Sequence, residues 1–513
     1  MPGDESVYDL LVIGGGINGA GIARDAAGRG LSVMLCEQDD LAAHTSSAST
    51  KLIHGGLRYL EQYEFSLVRK ALQEREVLLR AAPHLIAPLR FVMPHVSSLR
   101  PAWLMRIGLF LYDHLGKREL LPGTETVNLR THPAGAPLKP SLKMGFIYSD
   151  GLVQDARLVV MNALDAAERG AEILTHTHFV SAERGDEHWN ATLRAKVSGA
   201  QRAVKARCIV NAAGPWVTDL LRGSLHIESR RHLRMVKGSH IVVPRLFDHG
   251  YAYILQNQDK RVIFAIPYEN DYTLIGTTDV EYTGDPACAS IEDDEVSYLC
   301  DAINAYFARP IGPADVVWSY AGVRPLIEDE SDELSEVTRD YKLELDAQAG
   351  RAPLLSVFGG KITTYRRLAE EAMELLQEPL GQFKPAWTAT APLPGGDMPG
   401  ADLGRFLDEL KRRHPWLPDA LAERYARAYG TRAEILLADA KRVDDLGADL
   451  GEGLYEAEIN YLTSYEWALS AADILWRRSK LGLHASPDMV ERLSAWLAER
   501  GIAPGCQEGR QCA

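Results

Sequence analysis

The chain has 513 residues, 46% of them hydrophobic and 25% charged, a globular composition on a length that exceeds what one core serves, so two or three domains are expected. With 56 basic against 70 acidic residues the net charge is −14, which excludes a global field for nucleic acid and obliges any anionic ligand to find a local group of cations. Six cysteines without close pairs read as free thiols of a reducing compartment rather than as a zinc site or disulfide framework.

The opening MPGDESVYD lacks the basic start and apolar middle of a signal peptide, so a cytoplasmic chain is expected. Residues 7–37 then read as strand, glycine turn, helix and strand. Gly14, Gly16 and Gly19 have the GxGxxG spacing, which serves a tight turn, a close approach of pyrophosphate to backbone, and the packing of helix on strand. Ile17 and Asn18 open the helix, where amides and dipole favour phosphate. Glu37 ends the second strand 18 residues beyond Gly19, placed to accept hydrogen bonds from ribose hydroxyls and to disfavour a 2′-phosphate.

Residues 45–60, TSSASTKLIHGGLRYL, are polar and glycine-flanked, a loop made to touch something. A helix follows from 64 to 82. Between 89 and 140 the pattern is irregular and proline-rich, an excursion from the nucleotide-binding core. Within it, 99–119 mixes Trp103, Leu104, Ile107, Leu109, Phe110 and Leu111 with Arg100, Arg106, Lys117 and Arg118, which suits either a membrane interface or a helix packed internally. No run reaches the ~20 apolar residues of a membrane span.

Residues 156–174 return to helix and strand, and ARCIVNAAGPW (206–216) is a β-branched run closing on Gly214 and Trp216. From 231 to 344 alternating segments predict an antiparallel sheet. Residues 352–376 are again strand, glycine turn and helix. After a Pro/Gly/Thr-rich linker the periodicity is helical to the end.

Several stretches are shared with a known family: DLLVIGGGINGAGIARDAAGRGLSV, TSSASTKLIHGGLRYLEQYEF, GSHIVVP, IGTTDVEYTGDP, GVRPL, TRDY and SVFGGKITTYRRLAE. On these the chain resembles the FAD-dependent glycerol-3-phosphate dehydrogenases, the bacterial respiratory type in particular, within the D-amino-acid-oxidase-like flavoproteins. The resemblance runs from about 7 to 377 and continues more weakly into the tail. It implies a Rossmann-like α/β FAD domain (1–90, 150–230 and 345–380), an antiparallel substrate domain (91–149 and 231–344), a linker (381–400) and an all-α C-terminal domain (401–513).

It also implies that glycerol 3-phosphate is oxidised to dihydroxyacetone phosphate, the hydride going to FAD and the electrons to ubiquinone. The chain would work as a peripheral protein on the cytoplasmic face of the inner membrane, with room for a homodimer. An oxidase that passes electrons to oxygen, and a flavin-binding sensor without activity, are the alternatives. FAD would rest its pyrophosphate on Gly14, Gly16, Ile17, Asn18 and Gly19 and its adenosine ribose on Glu37. Its remainder would follow Thr45, Ser46, Ser47, Ser49, Lys51, Leu52, His54 and Gly55, with Gly214, Trp216, Gly359, Gly360, Lys361 and Thr363 closing around it.

A phosphate ester calls for converging guanidinium groups, and Arg58, Arg324 and Arg339 lie in the shared motifs beside Tyr59 and Lys361. Oxidising an alcohol needs a base, for which histidine is suited near neutral pH. His54 and His240 are the two candidates, and Arg324 would help by stabilising the alkoxide. Asp279 and Glu281 alternate toward one face but lack further ligands, so no metal is expected.

Overall fold

The computed structural model describes residues 7–96, 101–229, 231–257, 259, 261–327, 340–348 and 350–502. Two sheets organise the part that ends with helix Tyr365–Leu380. The first has eight strands, and its spine is parallel: Leu354–Phe358, Gln201–Asn211, Val7–Ile13, Val33–Cys36 and Glu172–Leu174 lie side by side in that order. Their buried, β-branched sequences are those of strands covered on both faces.

Helix Ile17–Gly28 is made of small residues, with Ala20, Ala23 and Ala26 fully buried. Small side chains let it lie close between helices Asp155–Glu168 and Tyr365–Leu380, and these three form one core with the sheet. The helix expected at 64–82 is present as Phe65–Ala81.

The second sheet has ten strands. It is antiparallel as expected, except at one join, where Tyr251–Gln256 runs parallel to Ile86–Pro94. The chain reaches these two strands through a long connection, and a long connection permits a parallel pairing where a hairpin does not. The irregular excursion thus donates Ile86–Pro94, Glu125–Asn128 and Met144–Val153 to this sheet, and Leu52–Ile53 joins its edge.

Helix Ala102–His114 lies outside. Only Leu109 and Tyr112 of it are buried, while Trp103 is 62% and Phe110 60% exposed, with Leu104 and Ile107 also exposed. One face of the helix thus packs on the second sheet, Leu109 and Tyr112 entering its core with Ala102 and Met105 against it, while the apolar residues of the other face stay exposed. Among the described residues no helix is long and apolar enough to cross a membrane. From Leu403 onward the chain is helical around a separate core. Cys36, Cys208 and Cys300 are buried free thiols; the expectation of free thiols is corrected at Cys288, which is disulfide-bonded.

Candidate active site

Four parallel strands end on one side of the first sheet, at Ile13, Cys36, Asn211 and Phe358. The chain leaves Val7–Ile13 for a neighbour on one side and fills the other side later, and ligands of open α/β sheets bind at such a switch point. A cleft of about 290 Å³ opens there, lined by Gly14, Gly16, Glu37, His44, Ser46, Phe179, Gly214 and Trp216 among others.

The three motif glycines do different work. Gly14 has φ +109°, and a Cβ on it would lie 2.5 Å from the Ala212 carbonyl oxygen. A Cβ on Gly19 would stand 1.9 Å from the Gly14 carbonyl oxygen. Both are packing glycines. A Cβ on Gly16 would meet only Ser46 Oγ, at 3.1 Å, and one on Gly214 would meet nothing within 4 Å. These two keep the cleft open.

At the head of the helix no side chain caps Gly16, and the Ile17 amide donates to Ser46 Oγ at 3.0 Å. Glu37, 8% exposed, accepts from the Gly15 amide at 2.6 Å and the Asp39 amide at 2.9 Å. Burial nevertheless pushes its carboxyl above the usual carboxylate range. This carboxylate has acceptor capacity left for further donors, as ribose hydroxyls would be. His44 pairs with Asp39 at 2.9 Å and packs edge-on to Trp216 with ring centres 4.8 Å apart. Neither His44 nor Asp39 stands out in the sequence; their only signal is their place just after the ribose-binding strand.

Loop 45–55 spends most of its polar groups on the protein. Thr45 donates to the Val323 carbonyl at 2.8 Å and Ser47 to that of His44 at 3.1 Å. Ser49 donates to Asp155 at 2.8 Å. Lys51, 1% exposed with φ +59°, places its ammonium 2.9 and 3.0 Å from the two Asp155 oxygens. The pair anchors the loop. Leu52 is buried in its strand. The Gly55 amide donates to Tyr112 Oη at 2.8 Å, and a Cβ there would strike Leu72. The His54 amide donates to Thr363 Oγ1 at 3.2 Å, its ring half-buried.

Across the cleft, Gly359 and Gly360 have φ +71° and +107°, values that favour glycine. Asn18 Nδ2 donates to the Gly359 carbonyl at 3.1 Å, while its Oδ1 is buried without a partner. The open glycines at the helix start, a buried carboxylate with acceptor capacity to spare and this orphan acceptor fit a dinucleotide. Gly14, Gly16, Ile17, Ser46 and Glu37 would hold its nucleotide half. The Lys361 ammonium lies 3.9 Å from the centre of the Tyr59 ring.

The second sheet carries the other candidates. Strand Leu233–Pro244 pairs with Trp318–Ile327 so that Val236 faces Arg324, Gly238 faces Gly322 and His240 faces Tyr320. Strand Tyr272–Gly276 sets Gly276 beside His240. A Cβ at Gly238 would meet Thr277 Oγ1 at 2.7 Å and Arg324 Nη2 at 3.0 Å, one at Gly276 the His240 ring at 2.1 Å, and one at Gly322 Ala48 at 2.7 Å. Three glycines thus make a floor on which the Arg324 guanidinium, the His240 ring and loop 45–50 come together.

Arg324 is paired with Asp279 and donates to the Thr278 carbonyl at 3.3 Å. Glu281 faces Arg234 at 3.3 Å, so each carboxylate considered as a metal ligand faces an arginine. The turn bearing Asp279 is pinned by Glu295, which accepts from Thr278 Oγ1 at 2.7 Å and Ser239 Oγ at 2.9 Å. His240 is 2% exposed, stacks on Tyr320 at 4.7 Å, and has Nε2 3.0 Å from Thr50 Oγ1 and Nδ1 without a partner. Burial, with Lys51 and Arg324 nearby, holds its pKa well below the usual value. Arg58 is half-buried in the turn after Gly56. Arg339 lies outside the described residues.

A dinucleotide cleft at the ends of parallel strands, facing a glycine-floored polar patch on a second sheet, defines a flavin-dependent redox protein. Comparison with known proteins narrows the class: the chain belongs to the FAD dependent oxidoreductase family, which it matches over residues 9–366. Residues 386–500 match the C-terminal domain of alpha-glycerophosphate oxidase. FAD is the cofactor.

The chain is 55% identical over 491 residues to the glycerol-3-phosphate dehydrogenase of Pseudomonas aeruginosa, covering 96% of this chain and 95% of that one. It is 54% identical over 476 residues to the D-erythritol 1-phosphate dehydrogenase of Brucella abortus, covering 93% and 95%. The crystal structure of the glycerol-3-phosphate dehydrogenase from Bacillus halodurans complexed with FAD superposes with a TM-score of 0.79 at 28% identity, covering 97% of this chain and 91% of that one.

Proposed function

We propose that this enzyme oxidises sn-glycerol 3-phosphate to dihydroxyacetone phosphate. The observation that carries the reading is the glycine floor, which brings a guanidinium for a phosphate next to an imidazole for a proton. Bound FAD supplies the hydride acceptor. Arg324, with Arg58 and Arg339, binds the phosphate, and Asp279 fixes the direction in which the Arg324 fork points. His240 takes the alcohol proton on its imidazole ring. It is neutral at physiological pH, and the cations that lower its pKa also drive the proton onward once it has been taken. His54, whose amide bonds Thr363, is the second candidate for this proton, and single replacements of the two histidines by asparagine separate them.

The Brucella relative supports a second substrate, a four-carbon polyol phosphate, at nearly the same identity. Anaerobic addition of either phosphate to the purified yellow protein tests both. Bleaching of the flavin band by glycerol 3-phosphate at the lower concentration supports the reading, and bleaching by erythritol 1-phosphate alone replaces it.

Electrons then pass to ubiquinone, and the protein works on the cytoplasmic face of the inner membrane. The exposed apolar face of helix Ala102–His114, with Arg106 exposed beside it, suits an interface of anionic lipid. Reoxidation of the bleached flavin by a soluble ubiquinone analogue, faster than by oxygen, separates this from the oxidase.

A further inference from the structure

Asp40 lies three residues beyond Glu37 in the turn that supports the cofactor loop. The Ala43 amide donates to its carbonyl at 3.1 Å, the Ala42 amide to the Gly15 carbonyl at 3.1 Å, and Leu41 lies directly against the Gly15 backbone. Whatever holds Asp40 therefore holds Glu37 and the glycine turn together. What holds it comes from the C-terminal helical region. Arg477 Nε is 2.6 Å from Asp40 Oδ2, and Arg478 grips the same carboxylate with Nη1 and Nη2, both at 2.8 Å.

Neighbouring side chains on an α-helix diverge by about 100°. These two nonetheless reach one carboxylate on their long side chains, from Asp473–Arg478, a π-helical turn, a local widening often found at functional positions. The guanidinium of Arg478 is also fixed from behind, by the Glu466 carbonyl at 2.6 Å. Arg477 is paired with Asp473 as well. The same segment touches the substrate sheet: Trp476 stacks on Trp318 with ring centres 4.4 Å apart, and Tyr272 Oη donates to the Leu483 carbonyl at 3.0 Å.

Asp40 is 1% and Arg478 0% exposed. Burial pushes the Asp40 carboxyl up, and Arg478 with Arg477 more than reverses this. Buried ion pairs of this kind are poor stabilisers, since apolar replacements of similar shape are as stable or more so. What they provide is a fixed geometry.

We propose that the segment 473–484 is a positioning latch for the cofactor. Arg477 and Arg478 hold Asp40, and through it the turn 37–43, in the shape that binds the nucleotide half of FAD, so the C-terminal region serves flavin retention. This rests on FAD binding at the glycine turn.

The test uses the full-length holoenzyme and follows the rise of free-FAD fluorescence after dilution. Arg477→Gln, which leaves the Arg478 pair in place, should release FAD about tenfold faster, and Arg478→Met or Asp40→Asn about a hundredfold faster. The apparent KM for glycerol 3-phosphate at saturating FAD should keep its wild-type value. Arg432→Gln is the control: it breaks the 2.6 Å pair with Glu168 between the same two parts of the chain but touches no residue of the turn. It should lower the melting temperature and leave FAD release unchanged. Wild-type release by folded Arg477→Gln overturns the proposal, as does equally fast release by Arg432→Gln. If Arg478→Met does not fold, Arg477→Gln decides. A wild-type protein that takes up no FAD would instead defeat the cofactor assignment beneath it.

Discussion

Replacing Gly16 or Gly19 by alanine separates a cofactor glycine from a packing glycine in the same motif. At Gly19 the new methyl would stand 1.9 Å from the Gly14 carbonyl oxygen, a backbone atom held by its own strand, so the helix must shift. Overpacking of this kind costs about 1–3 kcal/mol or more, and at about 2–4 °C per kcal/mol in a domain of this size the apoprotein should melt several degrees lower. At Gly16 the only neighbour is the end of the Ser46 side chain at 3.1 Å, which can rotate. Alanine there also removes freedom from the unfolded chain, a gain of about 0.4–1 kcal/mol. The apoprotein should be as stable as wild type. Its methyl, however, takes up open space at the helix start where the pyrophosphate is expected to rest, and the loss of about two charge-assisted hydrogen bonds at about 1.5–3 kcal/mol each should weaken FAD by about 10²–10⁴-fold. Scanning fluorimetry of the apoproteins and FAD titration by fluorescence quenching read the two quantities separately. Wild-type FAD affinity in Gly16→Ala, or an unshifted melting curve in Gly19→Ala, refutes the division of labour.

Arg324→Ala should raise the apparent KM for glycerol 3-phosphate by about 10–100-fold, the worth of one charged hydrogen-bonding partner, while the flavin-to-protein ratio stays at wild type; unchanged kinetics would remove Arg324 from the phosphate site. Trp103→Asp with Phe110→Asp should cut binding to anionic vesicles by at least about a hundredfold, since two large side chains no longer enter the interface, and wild-type co-sedimentation would place the membrane contact elsewhere. His84 is buried with both ring nitrogens unpartnered, and burial with Arg157 nearby lowers its pKa to about 3. The unfolded chain takes this proton at about 6.5 and the folded one does not, so stability falls as pH drops from 6.5 toward 3, by about 1.4 kcal/mol per pH unit and about 2 kcal/mol by pH 5. Denaturant unfolding at pH 6.5 and 5 should show a flatter dependence in His84→Gln, and an equal slope would discharge His84 from the effect.

The nucleotide half of the site was legible because everything that makes it is local. Strand, glycines, helix and Glu37 fall within about thirty consecutive residues, and their chemistry depends on spacing alone. The same holds for Gly359 and Gly360, which end a strand and require positive φ. Helix Ala102–His114 was only half legible: its amphipathic composition was plain, but whether another element covers the apolar face is decided elsewhere in the chain. The partner of Lys51 was hidden for a related reason. A lysine in a polar loop suggests a hand held out to a ligand, and no local window shows that its ammonium pairs with Asp155, 104 residues on, which fixes the loop.

Gly238, Gly276 and Gly322 show what no window of sequence could display. Each looks like an ordinary interruption of a strand, and their common purpose exists only through register: Gly238 opposite Gly322, and Gly276 opposite His240. A slip of one residue in the pairing of Leu233–Pro244 with Trp318–Ile327 would turn every side chain of one strand to the other face, separating Arg324 from His240 and filling the floor with Cβ atoms. The meeting of these two side chains therefore depends on pairing chosen by the apolar residues around them, Val236, Ile241, Val242 and Val323, all of them buried. The motifs name the reactive groups, and the core decides whether they meet.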